Sequence, residues 1–423
     1  MYDLCISNGL CFINNEFIEA NIGIEGNRIA YVGKEDVKGE FEIDAGGKLV
    51  MPGLFNAHTH LAMTLLRGYV EDMPLMDWLS RVWQVEAKLS EEDVYWGSML
   101  GILEMIKSGT TAFADMYFHM DEVAKAVGET GIRAVLSYGM IESGDDEKGE
   151  KELKIGTEFV KDWDGAFNGR IKAIFGPHAP YTCSPEFLLK VKERAEELDT
   201  LIHIHVAETR QEFEDIKKRY GKTPVRLLDD IGFLSKRVIV AHGVWVEDDE
   251  ISILKERGVS VVHNPASNLK LAAGIARVTD MLNAGVNVCL GTDGAASNNT
   301  YNLFEEIKLA SLLQKVATGR ADALKASDVL TMATRNGYRA YGLNGGKIEE
   351  GMLADIIMLD AKRCNYVPSY NPLYSVVYAS YGCEVTHVIV DGELILEDGM
   401  VLTMDEEKVI DKAEKLKDKF LVA

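Results

Sequence analysis

Eight short runs rich in β-branched and other apolar residues recur through the middle of this sequence, and longer helical stretches separate most of them. The runs are 54–57 (LFNA), 110–115 (TTAFAD), 133–138 (RAVLSY), 171–175 (IKAIF), 201–206 (LIHIHV), 237–241 (RVIVA), 258–262 (GVSVV) and 286–290 (VNVCL). Strands that alternate with helices pair in parallel, because each return to the same end of a sheet needs a long crossover. One such stretch, 91–107, begins after Ser90, a residue type that caps helix N-termini. Eight strands with their helices over roughly 290 residues predict an α/β chain folded as a (β/α)8 TIM barrel. A doubly wound open sheet is the rival arrangement.

Both ends of the chain have a different texture. Residues 1–50 hold short alternating runs broken by turns, as in NIGIEGNRIAYVGK at 21–34, where Gly26-Asn27 lies between two runs. Residues from 346 onward repeat that texture in IEEGMLADIIMLD and THVIVDGELILEDGMVLT. These patterns read as hairpins. The expected organisation is a small composite β-sandwich domain, 1–50 with 346–423, and a barrel at 51–345 inserted between its halves.

The barrel reading gives the histidines meaning. The chain has nine. His58 and His60 follow the first run (NAHTH), His178 the fourth (GPHAP), His205 ends the fifth, His242 the sixth (VAHG) and His263 the seventh (VVHNP), while Asp293 follows the eighth (LGTDG). In a barrel these strand ends share one face, the face where barrel enzymes carry their chemistry. His203 and His387 read as core residues within apolar strands.

In an extended segment residues i and i+2 point the same way, so His58 and His60 can bind one ion together. His205 and Asp293 complete three nitrogens and one oxygen, a set that suits zinc and leaves a coordination position for water. Iron or manganese would also accept these ligands. Such an ion lowers the pKa of water towards ~7. Glu208, three residues after His205, is placed to pass a proton to a substrate, and His242 to hydrogen-bond the attacking water. The segment FGPHAPYT offers no lysine or acid to bridge a second metal, so one divalent ion per chain is expected, with His178 left for substrate.

Composition narrows the partners. Acidic residues outnumber basic ones 67 to 45, a net charge of −22, which repels phosphate backbones and anionic membranes. No apolar run approaches the ~20 residues that span a bilayer, and MYDLCISNGLCFINNEF lacks the basic-then-apolar order of a signal peptide. The six cysteines are scattered without a C-x-x-C pair, the usage of a reducing compartment. A cytoplasmic protein acting on a small molecule, without nucleic-acid or membrane partners, is the expectation, and a homo-oligomer suits its size.

The ordered set PGLFNAHTHLAMTLLRG, DMPLMDWL, FGPHAPYTCS, HIHVAET, VAHGVW, HNPASNLKLAAGIA, LGTDGAASNN and KIEEGMLAD resembles the amidohydrolase superfamily over nearly the full length. More narrowly it is similar to the 5′-methylthioadenosine/S-adenosylhomocysteine deaminases, and within them to the methanogen-type 5′-deoxyadenosine deaminases. The resemblance implies hydrolytic deamination of 5′-modified adenine nucleosides to the inosine analogues plus ammonia. It puts His58, His60, His205 and Asp293 on one metal, with Asp293 also taking the proton from the attacking water. It puts Glu208 on the acid that protonates the purine at N1, Glu86 (WQVEAKL) on the ribose hydroxyls and His178 on substrate, with Trp78 near the pocket. One departure stands out. Where relatives that favour S-adenosylhomocysteine carry an arginine in the third-strand segment, this chain reads RAVLSYGM, with Tyr138. Tyr138 thus becomes the candidate reader of an uncharged 5′ group.

Other hydrolases on this scaffold, guanine deaminases and triazine hydrolases, would share the metal ligands. Glu86 argues for a ribose, which their substrates lack. A non-catalytic scaffold is the reading from another class, and the retention of every ligand and of Glu208 argues against it. The cytidine-deaminase zinc motif is absent.

Overall fold

The computed structural model describes residues 1–421. Five strands come first: β1 (Tyr2–Ile13), β2 (Glu16–Glu25), β3 (Arg28–Gly33), β4 (Gly39–Asp44) and β5 (Lys48–Pro52). The expected hairpin is β2–β3, turning at Gly26 with φ +53°, a backbone region that glycine enters freely. Next come β6 (Leu54–Thr59), β7 (Thr110–Tyr117), β8 (Arg133–Met140), β9 (Ile171–Pro177), β10 (Ile202–Val206), β11 (Val238–His242), β12 (Ser260–His263) and β13 (Asn287–Leu290). All eight runs read from the sequence are present, displaced by a residue or two at their ends. The chain closes with β14 (Ile356–Asp360), β15 (Val385–Val390), β16 (Glu393–Glu397) and β17 (Met400–Val401).

Strands β6 to β13 pair in parallel, each with its sequence neighbours. The seam between β13 and β6 is bridged rather than left as an open edge. Asn56 Nδ2 donates to Thr292 Oγ1 (2.7 Å), the Thr292 N–H donates to Asn56 Oδ1 (3.0 Å), and the Asp293 N–H donates to the His58 carbonyl (2.9 Å). A doubly wound sheet would keep two open edges, so the barrel reading holds. Its interior is packed by Phe55, Ala57, Ala114, Val135, Ile239 and Val262, and plugged from below by Tyr338 and Tyr341. Phe55 lies between these tyrosines, stacked on Tyr341 at 5.4 Å and edge-on to Tyr338 at 5.0 Å.

The two chain ends build a second sheet, in the order β17-β16-β15-β14-β5-β1-β2-β3, with β4 pairing β1 beyond β5. Its joint is the antiparallel pair β5–β14, from Lys48↔Asp360 to Pro52↔Ile356. Ile6, Ile22, Ile24, Val50, Ile356 and Met358 form its core. The link to the barrel is polar: Arg133, 3% exposed, pairs with Asp355 (2.7 and 3.2 Å) and Asp391 (2.6 Å), and Asp355 also accepts from the Tyr338 hydroxyl (2.7 Å).

The helix Glu91–Lys107 has the bounds its sequence predicts. Ser90 caps it in a reciprocal box with Asp93, which satisfies backbone N–H groups that the first turn leaves free. Among the described residues no helix is long and apolar enough to cross a membrane.

Candidate active site

The carboxyl ends of the barrel strands open into a concave cleft lined by apolar and polar side chains, the setting small-molecule sites favour. His60, His205, His242 and Asp293 form its floor, Glu86 and Glu208 its polar walls, and Trp78, Trp83, Phe118, Ile141 and Tyr181 its apolar ones. His58 lies just beneath, fully buried. Several strands end abruptly here. Ala207 (φ +54°), His242 (φ +72°) and Asp293 (φ +65°) all adopt left-handed backbone, a strain of order 1–3 kcal/mol each that concentrates at functional sites.

The imidazoles are aimed by their outer nitrogens. His60 Nδ1–H donates to the Met116 carbonyl (2.6 Å) and His205 Nδ1–H to the His178 carbonyl (2.7 Å). Their Nε2 atoms then face each other at 3.3 Å, with Asp293 Oδ1 3.2 Å from His60 Nε2 and 3.4 Å from His58 Nε2. Asp293 is itself fixed, its Oδ2 accepting from the Ser267 (2.6 Å) and Ser297 (2.8 Å) hydroxyls. Burial works against a charge on this carboxyl, but its contacts with His58 and His60 outweigh that and hold it well below the usual carboxylate range. The Nε2 atoms of His58, His60 and His205 thus gather about the Asp293 carboxylate. Only a positive charge makes that arrangement favourable, and a proton on His60 is the substitute: burial opposes it, yet Asp293 raises that pKa to about 9. Two overlapping trios, His58 with His60 and Asp293 and His58 with His205 and His242, each bring their ligand atoms within 4.8 Å of one another, a donor chemistry that fits a divalent cation.

Glu208 faces the same space. Its backbone N–H and that of Ala207 donate to the buried Glu212 carboxylate (2.7 and 2.9 Å), which clamps the turn that carries it. Burial raises the Glu208 pKa, partly offset by His242, whose Nε2 lies 3.9 Å from Glu208 Oε1. His242 is oriented by Asn268, its Nδ1–H meeting Oδ1 at 2.9 Å. Across the cleft Glu86, the last residue of the helix Leu75–Glu86, is 7% exposed, and its Oε1 accepts from the Tyr117 hydroxyl (2.6 Å). Its Oε2 remains for a ligand. Burial raises this carboxyl as well. His178 bonds Thr182 Oγ1 through Nδ1 (2.9 Å), and burial depresses its pKa to about 3, so a neutral ring is presented to the cleft. Trp78 lines the cleft, its indole N–H unpaired among the described residues.

Tyr138 requires a correction. It does not line the cleft; Gly139 and Ile141 of the same segment do. The reason is strand alternation: Val135 packs inside the barrel, so 137, 139 and 141 follow it inward, whereas Tyr138 packs with the surrounding shell, where burial and the nearby Glu152 raise its pKa. His119 stands exposed at the start of the helix Met120–Thr130, outside the cleft. Glu212, Tyr117, Asn268 and Ser267 were not singled out from the sequence. Ser267 and Asn268 do lie within the stretch HNPASN, and Ser297 within GTDGAASNN, whereas nothing local marks Tyr117 or Glu212.

Comparison with known proteins agrees with this geometry. The family model described as "Amidohydrolase family" matches residues 49–395. The chain is 55% identical, over 98% of each partner, to a 5-methylthioadenosine/S-adenosylhomocysteine deaminase of Archaeoglobus fulgidus. It is 54% identical to a 5′-deoxyadenosine deaminase of Methanosarcina acetivorans, over 92% of this chain and 91% of that one. Among solved structures, an adenosine deaminase from Xanthomonas campestris with bound zinc superposes with a TM-score of 0.95 at 34% identity, covering 100% of this chain and 99% of that one. With its barrel, its converging histidines and aspartate and these full-length likenesses, the chain belongs to the amidohydrolase family.

Proposed function

We propose that the protein hydrolyses the 6-amino group of adenine nucleosides modified at the 5′ position, releasing ammonia and the inosine analogue. One divalent cation, zinc in preference to iron or manganese, is held by His58, His60, His205 and Asp293. The observation that carries this is the 3.3 Å approach of the His60 and His205 Nε2 atoms beside Asp293 Oδ1, which a bound cation would make favourable. When bound, the cation supplies Lewis acidity that makes water a nucleophile at neutral pH.

The chain's own groups do the rest. Glu208, whose pKa burial raises, donates to the purine ring nitrogen, so electron density leaves the adjacent carbon as water adds. Asp293 accepts the water proton, and His242 Nε2 hydrogen-bonds the added oxygen. Asp293 then passes that proton to the amino group, the C–N bond breaks and ammonia departs, and the proton of the added hydroxyl returns to Glu208 as the carbonyl forms. Glu86 Oε2 accepts hydrogen bonds from the ribose hydroxyls, held in place by Tyr117. Guanine and triazines lack those hydroxyls, which favours a nucleoside.

The cleft also speaks to the 5′ group. Among the described residues its lining contains no lysine or arginine, while Phe118, Gly139 and Ile141 supply apolar surface. A methyl or methylthio group suits that surface; an amino-acid carboxylate would leave water without a cationic partner. The test is ammonia release from adenosine, 5′-deoxyadenosine, 5′-methylthioadenosine, S-adenosylhomocysteine, guanine and a triazine, combined with elemental analysis. Release from guanine or a triazine exceeding that from every nucleoside would overturn the proposal.

A further inference from the structure

Of the histidines that converge on the site, His58 is aimed differently. The outer nitrogens of His60 and His205 meet backbone carbonyls, which can only accept, so their protonation is settled locally. The outer nitrogen of His58 instead meets another imidazole: Nδ1 lies 3.0 Å from His203 Nε2. An imidazole nitrogen can donate or accept, so this contact alone leaves open which nitrogen of His58 carries the proton. A proton on Nε2 would block metal binding.

The next contact resolves the ambiguity. His203 Nδ1 lies 2.9 Å from the Tyr341 hydroxyl, and that hydroxyl lies 2.7 Å from the Ala57 carbonyl oxygen. A phenol has one proton. Were it given to His203, two oxygen lone pairs would confront each other at 2.7 Å; given to Ala57, both contacts are hydrogen bonds. His203 must then donate through Nδ1. His203 is fully buried, and neither of its partners is a carboxylate, so it is neutral with a bare Nε2. His58 must in turn donate through Nδ1, which leaves its own Nε2 bare. That atom is buried without a hydrogen-bond partner, facing Asp293.

We infer that Tyr341 is a positioning residue for the metal site: acting through His203, it fixes the proton of His58 on Nδ1 and so keeps Nε2 open to a divalent cation. Tyr341 is well placed for this. It follows the helix Arg335–Ala340 below the barrel floor, and its ring is held by stacking on Phe55 (5.4 Å, 9° between planes). A fixed hydroxyl with one fixed acceptor is a reference from which two successive tautomers follow. The inference rests on His58 being a metal ligand.

The experiment is chelator competition for zinc, together with nitrogen-15 spectra of the histidine rings in the metal-free protein, for the parent, Tyr341→Phe, His203→Gln, His203→Leu and His58→Ala. Groups that orient metal ligands contribute about 10–100-fold in metal affinity, and Tyr341→Phe is expected to lose that much while His58 becomes a mixture of tautomers. His203→Gln offers an amide oxygen in place of Nε2, so it should keep most of the affinity that His203→Leu loses. Parental affinity and an unchanged His58 tautomer in Tyr341→Phe would overturn the inference. So would equal losses in the two His203 variants, which remain informative if Tyr341→Phe does not fold. Retention of parental zinc affinity by His58→Ala would instead overturn the ligand assignment.

Discussion

The Nε2 atoms of His60 and His205 face each other at 3.3 Å while both rings donate their Nδ1 protons to backbone carbonyls. Two lone pairs at that distance repel unless positive charge lies between them. Removal of the metal is therefore expected to abolish activity and lower Tm. Restored zinc should stabilise the fold by about 2.7 kcal/mol at a hundredfold excess over its Kd. Elemental analysis should find one ion per active chain; two would contradict a mononuclear site.

Glu208→Gln keeps the shape of the side chain but has no acidic proton to give. General acid help is typically ~10²–10⁴ in rate, so kcat should fall by about that factor with metal content unchanged. Steady-state kinetics with parallel metal analysis checks this. A variant with near-parental turnover would remove Glu208 from the reaction.

Glu86 and Tyr117 form one unit through the 2.6 Å bond between them. Losing a hydrogen bond to a charged group costs ~1.5–3 kcal/mol, so Glu86→Ala should lower kcat/KM by roughly ten- to a hundredfold. Tyr117→Phe, which only loosens the carboxylate, should have a smaller effect in the same direction. 2′-Deoxyadenosine should be a poorer substrate than adenosine for the parent and not for Glu86→Ala. If the alanine variant keeps the parent's preference, the carboxylate does not read ribose.

Specificity at the 5′ end should follow the cleft lining rather than Tyr138. The parent should favour 5′-deoxyadenosine or 5′-methylthioadenosine over S-adenosylhomocysteine. Ile141→Arg, which brings a guanidinium to the lining, should narrow that gap by raising kcat/KM for the charged substrate. Tyr138→Phe should leave the gap as it is. A large change in the phenylalanine variant would show that Tyr138 reaches the substrate after all.

The Arg133–Asp355 pair is buried and shares Asp391 and Tyr338 between barrel and sheet. Removing Asp355 leaves Arg133 with Asp391 alone and the Tyr338 hydroxyl without its acceptor, so the cost should stay below the ~3–5 kcal/mol of a fully broken buried pair. Asp355→Ala should shift the urea midpoint accordingly. The double variant Arg133→Leu, Asp355→Leu should lose less than the sum of its single changes. Simple additivity would mean that the ion pair is not the source of the effect.

The residues that form a site along one strand end were legible in the sequence, because their spacing is set by local geometry. His58 and His60 share a side by strand alternation, Glu208 follows His205 on the same loop, and Ser90 caps its helix through a contact three residues long. The eight apolar runs sufficed for the barrel, since parallel pairing of neighbours leaves few alternatives. The direction of Tyr138 could have been read from the same alternation, had the inward register of β8 been known; that register depends on which side of the strand the core occupies. Tertiary structure alone decided the rest. His203 reads as an ordinary core histidine, and only folding brings it between His58 and Tyr341, 145 and 138 residues away along the chain. Glu212 and Tyr117 likewise acquire meaning from the partners they meet. Composition and periodicity determine which face of a strand is buried, whereas the proton on a ring nitrogen depends on the atom opposite it, and that atom is supplied by a distant part of the chain.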